Sequence, residues 1–337
     1  MHDRSRELEV ALDAVRIAAT LCRSIQRRIG SGAAEKEDRS PVTVADYGSQ
    51  ALICAALEAA FPADAIVGEE DAAALRAPGG DALLQRAVDE LSTLAAPLPA
   101  RLARARPTAD LVCELIDRGA GRVTPARFWT VDPIDGTKGF LRGDQYAVAL
   151  ALIEDGVPVV AALACPNLDT TSRAQPPGVL FGAIRGEGTF TAALDLPDRR
   201  TPARVSERHE PRALRLTESL EPGHTDQALA AALADRLGFG GQARRLDSMA
   251  KYGEVARGEA DVYLRVPRPG YREKIWDHAA GALVVLEAGG KVTDAAGAPL
   301  DFGSGHELQT AGGIVASNGP LHGAILDAVR ELQDLGL

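Results

Sequence analysis

The sequence contains no long apolar run, and this absence limits where the protein can work. No stretch approaches the ~18 uncharged apolar residues that a membrane-spanning helix requires. Residues 1–9 are highly charged and open directly into an amphipathic segment, so we expect neither a signal peptide nor a membrane anchor. The composition therefore predicts a cytoplasmic protein that acts away from membranes. The sequence leaves both a monomer and a homodimer open.

Cysteine is also scarce. The 337 residues include only Cys22, Cys54, Cys113 and Cys165, and no two of them have the spacing of a metal-binding or redox pair. Cys22 and Cys54 fall on the apolar sides of predicted helices, which is typical of small core residues. We therefore predict reduced thiols and a reducing compartment.

Positively charged residues are fewer than negatively charged ones. The sequence also shows no internal repeat and no low-complexity segment. Lys and Arg number 37 against 47 Asp and Glu, giving a formal net charge of −10. Such a surface repels the phosphates of a long nucleic acid. A small nucleotide is still compatible, because bound metal ions and a few local cations can invert the field. The candidate cations are Lys138, Arg142, Lys251 and Arg265.

The most informative stretch of the chain is WTVDPIDGT, an apolar run that ends in acids and turn residues. The apolar part predicts a buried strand, and we expect Pro133 and Gly136 to end it. Asp132, Asp135 and Thr137 then gather at its carboxyl end. This end of the strand is where open α/β sheets place their chemistry.

The two aspartates of this stretch suggest a metal. Acids so close together repel each other unless a cation lies between them. Hard oxygen ligands, including the backbone carbonyl of Ile134, suit Mg²⁺ better than a softer ion, so we interpret the stretch as a metal-assisted phosphate site. The alternative is a tight turn whose aspartates cap backbone amides.

Three other segments place acids where a strand ends or a helix begins. IVGEED is a short β-prone run that breaks at a glycine and delivers Glu69; SPVTVAD carries Asp46 into an Ala-rich helical stretch; and KIWDHAAG opens an apolar helix at Asp277. Each has a simpler interpretation as well. These are an exposed acidic turn, an acid facing the positive end of a helix dipole and an N-cap.

Taken together, four motifs carry a family resemblance: SPVTVADYGSQ, IVGEED, FWTVDPIDGTKGFLRGDQYAVALAL and EKIWDHAAGALVVLEAGG. In this order they resemble the lithium-sensitive, Mg²⁺-dependent phosphatases of the inositol monophosphatase superfamily, and within it most of all the 3′(2′),5′-bisphosphate nucleotidases. The likeness spans roughly Leu8 to Val329. It implies an α/β fold, namely an α+β layered sandwich in which helix and sheet layers alternate, as in inositol monophosphatase and fructose-1,6-bisphosphatase.

The resemblance also implies roles for particular residues. Asp46 and Thr137 match the groups that deprotonate the nucleophilic water, and the cofactor would be two or three Mg²⁺ ions. The matching metal ligands are Glu69, Asp132, the carbonyl of Ile134, Asp135 and Asp277. The matching substrate-binding residues are Thr137, His224, Ser248, Lys251, Arg265 and Asp277. Without the resemblance, Lys251 and Arg265 would be ordinary surface residues, His224 a loop histidine and Ser248 an N-cap.

The implied reaction is removal of the 3′-phosphate from adenosine 3′,5′-bisphosphate, giving AMP and phosphate. The resemblance leaves 3′-phosphoadenosine 5′-phosphosulfate open as an additional substrate. Two alternatives stay open. One is a phosphatase for inositol phosphates, including polyphosphates, with the same metals. The other is a non-catalytic nucleotide-binding protein that kept the fold, which the presence of every ligand position disfavours.

The order of elements predicts two subdomains that share one site at their junction. Residues 1–193 would form an α+β subdomain carrying most metal ligands, and residues 194–337 an α/β subdomain carrying Asp277 and the nucleotide pocket. Predicted strands of the first half lie at 128–131, 146–153, 157–164 and 179–184. Those of the second lie at 214–217, 244–246, 262–265, 291–293 and 314–316. Residues 72–127 should form helices that partly cover the site.

Overall fold

Two β-sheets organise the chain, and the computed structural model describes residues 3–30, 40–124, 126–170, 177–220, 227–240, 243–266 and 271–334. The elements of the first part are α1 (Ser5–Gly30), α2 (Ser40–Ala60), β1 (Ala65–Gly68), α3 (Ala73–Arg76), α4 (Asp81–Thr93), α5 (Ala100–Ala105), α6 (Ala109–Asp117), β2 (Arg127–Asp135), α7 (Thr137–Arg142), β3 (Ala147–Glu154), β4 (Val157–Cys165), β5 (Val179–Ile184), β6 (Gly188–Ala193) and β7 (Leu196–Ala203). Those of the second part are β8 (Leu216–Ser219), α8 (Gln227–Leu237), β9 (Arg244–Leu246), α9 (Ala250–Ala256), β10 (Val262–Arg265), α10 (Ala279–Glu287), β11 (Lys291–Asp294), β12 (Ile314–Ser317) and α11 (His322–Asp334).

The first sheet has seven strands in the order β1-β2-β3-β4-β5-β6-β7, and the second has five in the order β11-β12-β10-β8-β9. In the first sheet only β1 and β2 are parallel, and the rest form an antiparallel meander. In the second sheet β8 runs parallel to both β9 and β10, whereas β12 is antiparallel to β10 and β11. Three adjacent parallel strands therefore end at one edge of the second sheet.

The sheets and helices stack in five layers. Helices α1 and α2 cover one face of the seven-stranded sheet, and its other face packs on α9 and α10. These two helices share their core with one face of the five-stranded sheet, whose opposite face packs on α8 and α11. Helix α10 is apolar all round and buried from Ala279 to Val285, which is typical of a helix enclosed between two sheets. The predicted alternation of helix and sheet layers is confirmed.

All nine strands predicted from the sequence are present, but the strand of the acidic motif is longer than predicted. Strand β2 continues through Pro133 to Asp135 instead of ending at the proline. The pairing with β3 jumps from Asp132 opposite Ala149 to Asp135 opposite Ala147, so β2 carries one extra residue there. A bulge leaves a residue without a ladder hydrogen bond, and this tolerates a proline within the strand.

The segment 72–127 forms the predicted helices, but these helices do not cover the site. Helices α4, α5 and α6 pack on the outer side of α2, and none of their residues lines the acidic cavity at the strand ends. The apolar positions Val88, Leu91, Val112 and Leu115 are all buried in that packing. The amphipathic pattern therefore identified a buried face correctly, while the partner of that face is α2.

The predicted division at residue 193 stays a prediction. It falls within the β6–β7 hairpin, because Thr191 of β6 pairs with Thr201 of β7 in the first sheet. The part of the chain after residue 193 therefore begins with a strand of the first sheet. All four cysteines are free and buried. In the part of the chain that the structure describes, no helix combines the length and the apolar character needed to cross a bilayer.

Candidate active site

The acids of the first sheet meet because β1 and β2 are parallel neighbours. Their register places Gly68 opposite Val131, and the backbone N–H of Glu69 donates to the carbonyl of Val131 at 3.2 Å. Glu69 therefore lies beside Asp132. The acidic pair predicted from two separate motifs is thus produced by one parallel strand pairing.

Helix α2 holds the ends of both strands, β1 and β2, through side-chain hydrogen bonds. The Ser49 hydroxyl donates to the carbonyl of Pro133 at 3.0 Å, which holds the bulge. The Gln50 side chain accepts from the backbone N–H of Glu70 at 3.0 Å and donates to its carbonyl at 2.6 Å. Asp46 lies three and four residues earlier, on the same face of the helix. One helical face therefore carries Asp46 and holds the acidic turn.

Gly136 joins β2 to α7 with a φ of +90°, a conformation that favours glycine. A Cβ at this position would lie 3.0 Å from the Cβ of Ser248. The first half of the chain thus comes into close contact with the loop before α9. Two polar contacts join them as well, because Met249 N–H donates to Asp135 and the Arg142 guanidinium donates to Asp247.

The second half contributes the carboxyl ends of its three parallel strands. Ser219 ends β8, Asp247 follows β9, and Arg265 ends β10. Ser248 adopts a φ of +67° just before α9 begins. Asp277 lies two residues before α10. This edge is the crevice that α/β sheets use for ligands.

The two edges enclose a cavity of about 270 Å³. It brings together most of the predicted site. The predicted residues that line it are Glu69, Asp132, Ile134, Asp135, Thr137, Ser248, Lys251, Arg265 and Asp277. Asp46 is buried and does not line the cavity, although its charge raises the pKa of Asp132. His224 lies outside the described residues.

Four carboxylates of the cavity have raised pKa values. Burial and the charge of Glu69 raise the pKa of Asp132 well above its usual range. Loss of surrounding water, then the charges of Asp277 and Glu70, raise that of Glu69 to about 8. Burial and Asp135 raise the pKa of Asp277 to about 7, and burial raises that of Asp135 too. Such mutual repulsion marks a place where a cation would be stabilised.

The donor chemistry of this cluster fits a hard divalent ion. Asp132 Oδ1 is buried and has no hydrogen-bond partner among the described residues, a costly state for a carboxylate oxygen. Glu69, Asp135 and Asp277 line the same cavity, and their carboxylates are the ligands that Mg²⁺ prefers. Glu69, Asp132, Asp135, Asp277 and the Ile134 carbonyl could hold such an ion.

Two buried cations line the same cavity as these acids. Lys251 is only 2% exposed, and its ammonium donates to the carbonyl of Leu246 at 3.1 Å. Burial lowers its pKa to about 8, although the charge of Asp135 opposes that shift. Arg265 is 6% exposed and its Nη2 lies 3.8 Å from Asp277 Oδ2. The cavity therefore combines a cluster of carboxylates with two buried cations.

Sequence reasoning missed several residues of this site. Asp247, Ser219 and Tyr271 line the cavity, and Glu273 pairs with Arg265. Asp247 could have been suspected, because it precedes Ser248 directly after a predicted strand. Ser219 belongs to none of the motifs and reaches the site through the pairing of β8 with β10. Glu273 opens the motif EKIWDHAAGALVVLEAGG, but nothing in the motif distinguishes this acid from an ordinary charged residue.

Comparison with solved structures shows the fold. An inositol monophosphatase from Anabaena (Nostoc) sp. PCC 7120 superimposes with a TM-score of 0.62 at 22% sequence identity, over 97% of this chain and 96% of that one. At this identity the likeness defines the class of layered α/β fold and nothing narrower.

Sequence relatives are closer. The chain is 42% identical to the 3′(2′),5′-bisphosphate nucleotidase of Oryza sativa over 96% of this chain and 94% of the relative. It is 43% identical to 3′(2′),5′-bisphosphate nucleotidase 1 of Arabidopsis thaliana over 97% and 96%. The model of the inositol monophosphatase family matches residues 3–334. The chain belongs to the inositol monophosphatase family, and the resemblance inferred from its motifs is confirmed.

Proposed function

We propose that the protein is a Mg²⁺-dependent phosphatase that hydrolyses the 3′-phosphate of adenosine 3′,5′-bisphosphate to give AMP and phosphate. The observation that carries this proposal is the cavity that holds both a carboxylate cluster and two buried cations. The carboxylates suit a divalent ion, and Lys251 and Arg265 suit a second anionic group. The names of the relatives from rice and Arabidopsis support the same substrate class. The phosphosulfate analogue is a further candidate substrate.

The proposed metal ligands are Glu69, Asp132, the Ile134 carbonyl, Asp135 and Asp277. Mg²⁺ held by these oxygens supplies charge neutralisation at the phosphate and a lowered pKa of bound water. Phosphoryl transfer otherwise depends mainly on positioning and on charge stabilisation. The strand bulge and the parallel β1–β2 pairing provide that positioning.

We assign orientation of the attacking water to Thr137 and Asp46. Thr137 begins α7 and lines the cavity, so its hydroxyl can accept a hydrogen bond from that water. Asp46 lies behind the carboxylates, where the charges of Glu70 and Glu69 add to burial in raising its pKa. A group with a raised pKa can take up a proton near neutral pH.

Substrate recognition is assigned to the residues that the second half of the chain contributes to the cavity. Lys251 and Arg265 would bind the phosphate that is not cleaved, with the Arg fork giving two parallel hydrogen bonds. Ser248 lies against Gly136 and lines the same cavity, and the motif resemblance implies His224 as a further ligand of the substrate. These groups, rather than the metal ligands, would separate a nucleotide from an inositol phosphate.

The decisive measurement is phosphate release from adenosine 3′,5′-bisphosphate, its phosphosulfate analogue and an inositol monophosphate, each with and without Mg²⁺. We expect Mg²⁺-dependent turnover that favours the nucleotides, inhibition by Li⁺ and competition by Ca²⁺.

Asp132→Asn should reduce kcat by about 100-fold or more. Arg265→Ala should lower kcat/KM for the bisphosphate about tenfold more than for the inositol phosphate. Full activity of Asp132→Asn, or equal losses in Arg265→Ala, would contradict the proposal.

A further inference from the structure

Arg265 is held by a buried carboxylate that the proposed reaction does not use. Its Nε donates to Glu273 Oε1 at 2.7 Å, and its Nη2 lies 2.7 Å from Glu273 Oε2. Glu273 is 2% exposed. Two parallel contacts between a guanidinium and a carboxylate fix the plane of the guanidinium, not just its position.

Glu273 is itself held by a second layer of partners. His278 Nε2 lies 2.8 Å from Glu273 Oε2, and the hydroxyl of Tyr252 lies 2.8 Å from His278 Nδ1. A carboxylate only accepts, so Nε2 carries the proton and donates. Tyr252 Oη and His278 Nδ1 share the second hydrogen bond of this series.

Close packing fixes Tyr252, the last residue of this series of hydrogen bonds. The Tyr252 ring meets the Tyr263 ring edge-on at 4.8 Å between centroids. A Cβ at Gly281 would lie 2.4 Å from Tyr252 Cδ2, so the helix α10 approaches this ring as closely as only glycine allows. Tyr252, His278 and Glu273 are all nearly inaccessible to solvent. The chain of hydrogen bonds therefore has little freedom to reorient.

The charges of the group favour a single arrangement. Burial alone would raise the pKa of Glu273, but His278 and Arg265 outweigh it and lower the value to about 2. Glu273 is thus ionised, and both of its oxygens are engaged. Its two contacts with the guanidinium are those of a support for Arg265.

We propose that Tyr252, His278 and Glu273 are positioning residues that preorganise Arg265 to bind the second, uncleaved phosphate of a bisphosphate substrate. The inference rests on the proposed function, since it assigns the supports of that phosphate site. A preorganised fork binds without first losing rotamer freedom. Loosening the fork should therefore weaken recognition of the second phosphate while leaving the reacting phosphate in place.

Glu273→Gln tests this inference most directly. We expect the ratio of kcat/KM for adenosine 3′,5′-bisphosphate to that for adenosine 3′-monophosphate to fall about tenfold, with the loss mainly in KM. Affinity for AMP, measured by calorimetry without turnover, should fall by a similar factor. In an Arg265→Ala background the same substitution should change the ratio by less than about twofold, because residues that act through one another are not additive.

Tyr252→Phe provides a second test in case Glu273→Gln does not fold. It removes only the terminal hydroxyl and should lower the same ratio about twofold to fivefold. Tyr146→Phe is the matched control, because the Tyr146 hydroxyl is buried without a partner among the described residues. Equal losses on both substrates, full additivity with Arg265→Ala, or an unchanged ratio in Tyr252→Phe would overturn the inference. Absence of bisphosphate turnover in the wild type would instead reject the proposed function, and AMP binding would still test the positioning.

Discussion

At the scale of single residues, the carboxylate cluster suits the proposed function but lowers the stability of the folded protein. Asp132 is 2% exposed, and burial together with Glu69 disfavours its charged form. Concentrating such groups costs free energy unless a cation offsets their repulsion. Residues that serve a site in this way often limit the stability of the whole protein.

This cost leads to a prediction for Asp132→Asn. In EDTA the variant should unfold at a temperature at least as high as the wild type, because an amide keeps the shape without the buried charge. Saturating Mg²⁺ should raise Tm of the wild type by several degrees, as expected for a ligand well above its Kd. The Tm of the variant should hardly respond. Differential scanning calorimetry with and without Mg²⁺ makes the measurement.

Asp301→Asn is the control for that experiment, because Asp301 is exposed and lies outside the cavity. It should keep the full Mg²⁺ response. An Asp132→Asn protein that gains as many degrees from Mg²⁺ as the wild type would show that Asp132 does not hold the ion.

The individual acids could be predicted because each follows an apolar run at a strand or helix boundary. Glu69, Asp132 and Asp277 were identified in this way, and the structure brings them into one cavity. Glu273 and Tyr252 could not be identified, because nothing local distinguishes a buried support from an ordinary charged or aromatic residue. Their importance depends on His278, which the tertiary fold inserts between them.

At the scale of elements, Asp261 ties together the start of β8, the loop before it and the end of β12. Its side chain accepts from the backbone N–H of Arg215 at 2.7 Å and from the Ser206 hydroxyl. Its backbone carbonyl accepts from Asn318 N–H at 2.9 Å. Burial alone would raise the pKa of Asp261, but the hydrogen bonds from Arg215 and Ser206 outweigh it and lower the pKa.

The prediction for Asp261→Asn includes its pH dependence. Replacing the acceptor should cost about 2 kcal/mol at pH 7, a value reduced because the arginine partners are partly exposed. An acid with a lowered folded-state pKa stabilises above its unfolded value of about 4, and this contribution is lost as pH falls below it. The difference between the two proteins in urea unfolding should therefore be largest at pH 7 and shrink below about pH 4.

Asp195→Asn is the matched control, because Asp195 also pairs with an arginine but lies at the surface. Asp195 accepts from Arg23 at 3.1 Å and its side chain is 49% exposed, so its loss should cost under about 1 kcal/mol. If the two substitutions cost the same, or if the Asp261→Asn difference persists unchanged in acid, the role assigned to Asp261 is wrong.

The elements were predictable wherever apolar residues formed a clear run, as in β4, β5 and β10. Strand β7 gave no such signal, since most of its residues are exposed and it contains Pro197 and Pro202. It is held by backbone pairing with β6 at the edge of the sheet, where prolines are tolerated. The sequence did not indicate the bulge at Pro133 either, because a bulge depends on how the strand pairs with its neighbour and not on the strand alone.

At the scale of the whole molecule, the two predicted subdomains do not have separate cores. Helix α10 packs against β3, β4 and β5 of the first sheet and against β11 and β12 of the second. One apolar cluster contains residues of both sheets. The cavity opens between the same two sheets, so the integrity of the site depends on this shared layer.

We therefore predict that the protein unfolds in a single cooperative transition, and that Leu283→Ala shifts the whole of it. Leu283 is fully buried in the shared layer, and truncating such a residue costs about 2–5 kcal/mol. Leu286→Ala on the same helix is the control, because Leu286 is 39% exposed and should cost under about 1 kcal/mol. Calorimetry of the metal-free protein should give one peak whose calorimetric and van't Hoff enthalpies agree. Two resolved peaks, of which Leu283→Ala moves only one, would mean that the halves are stable independently and that the site joins them only when both are folded.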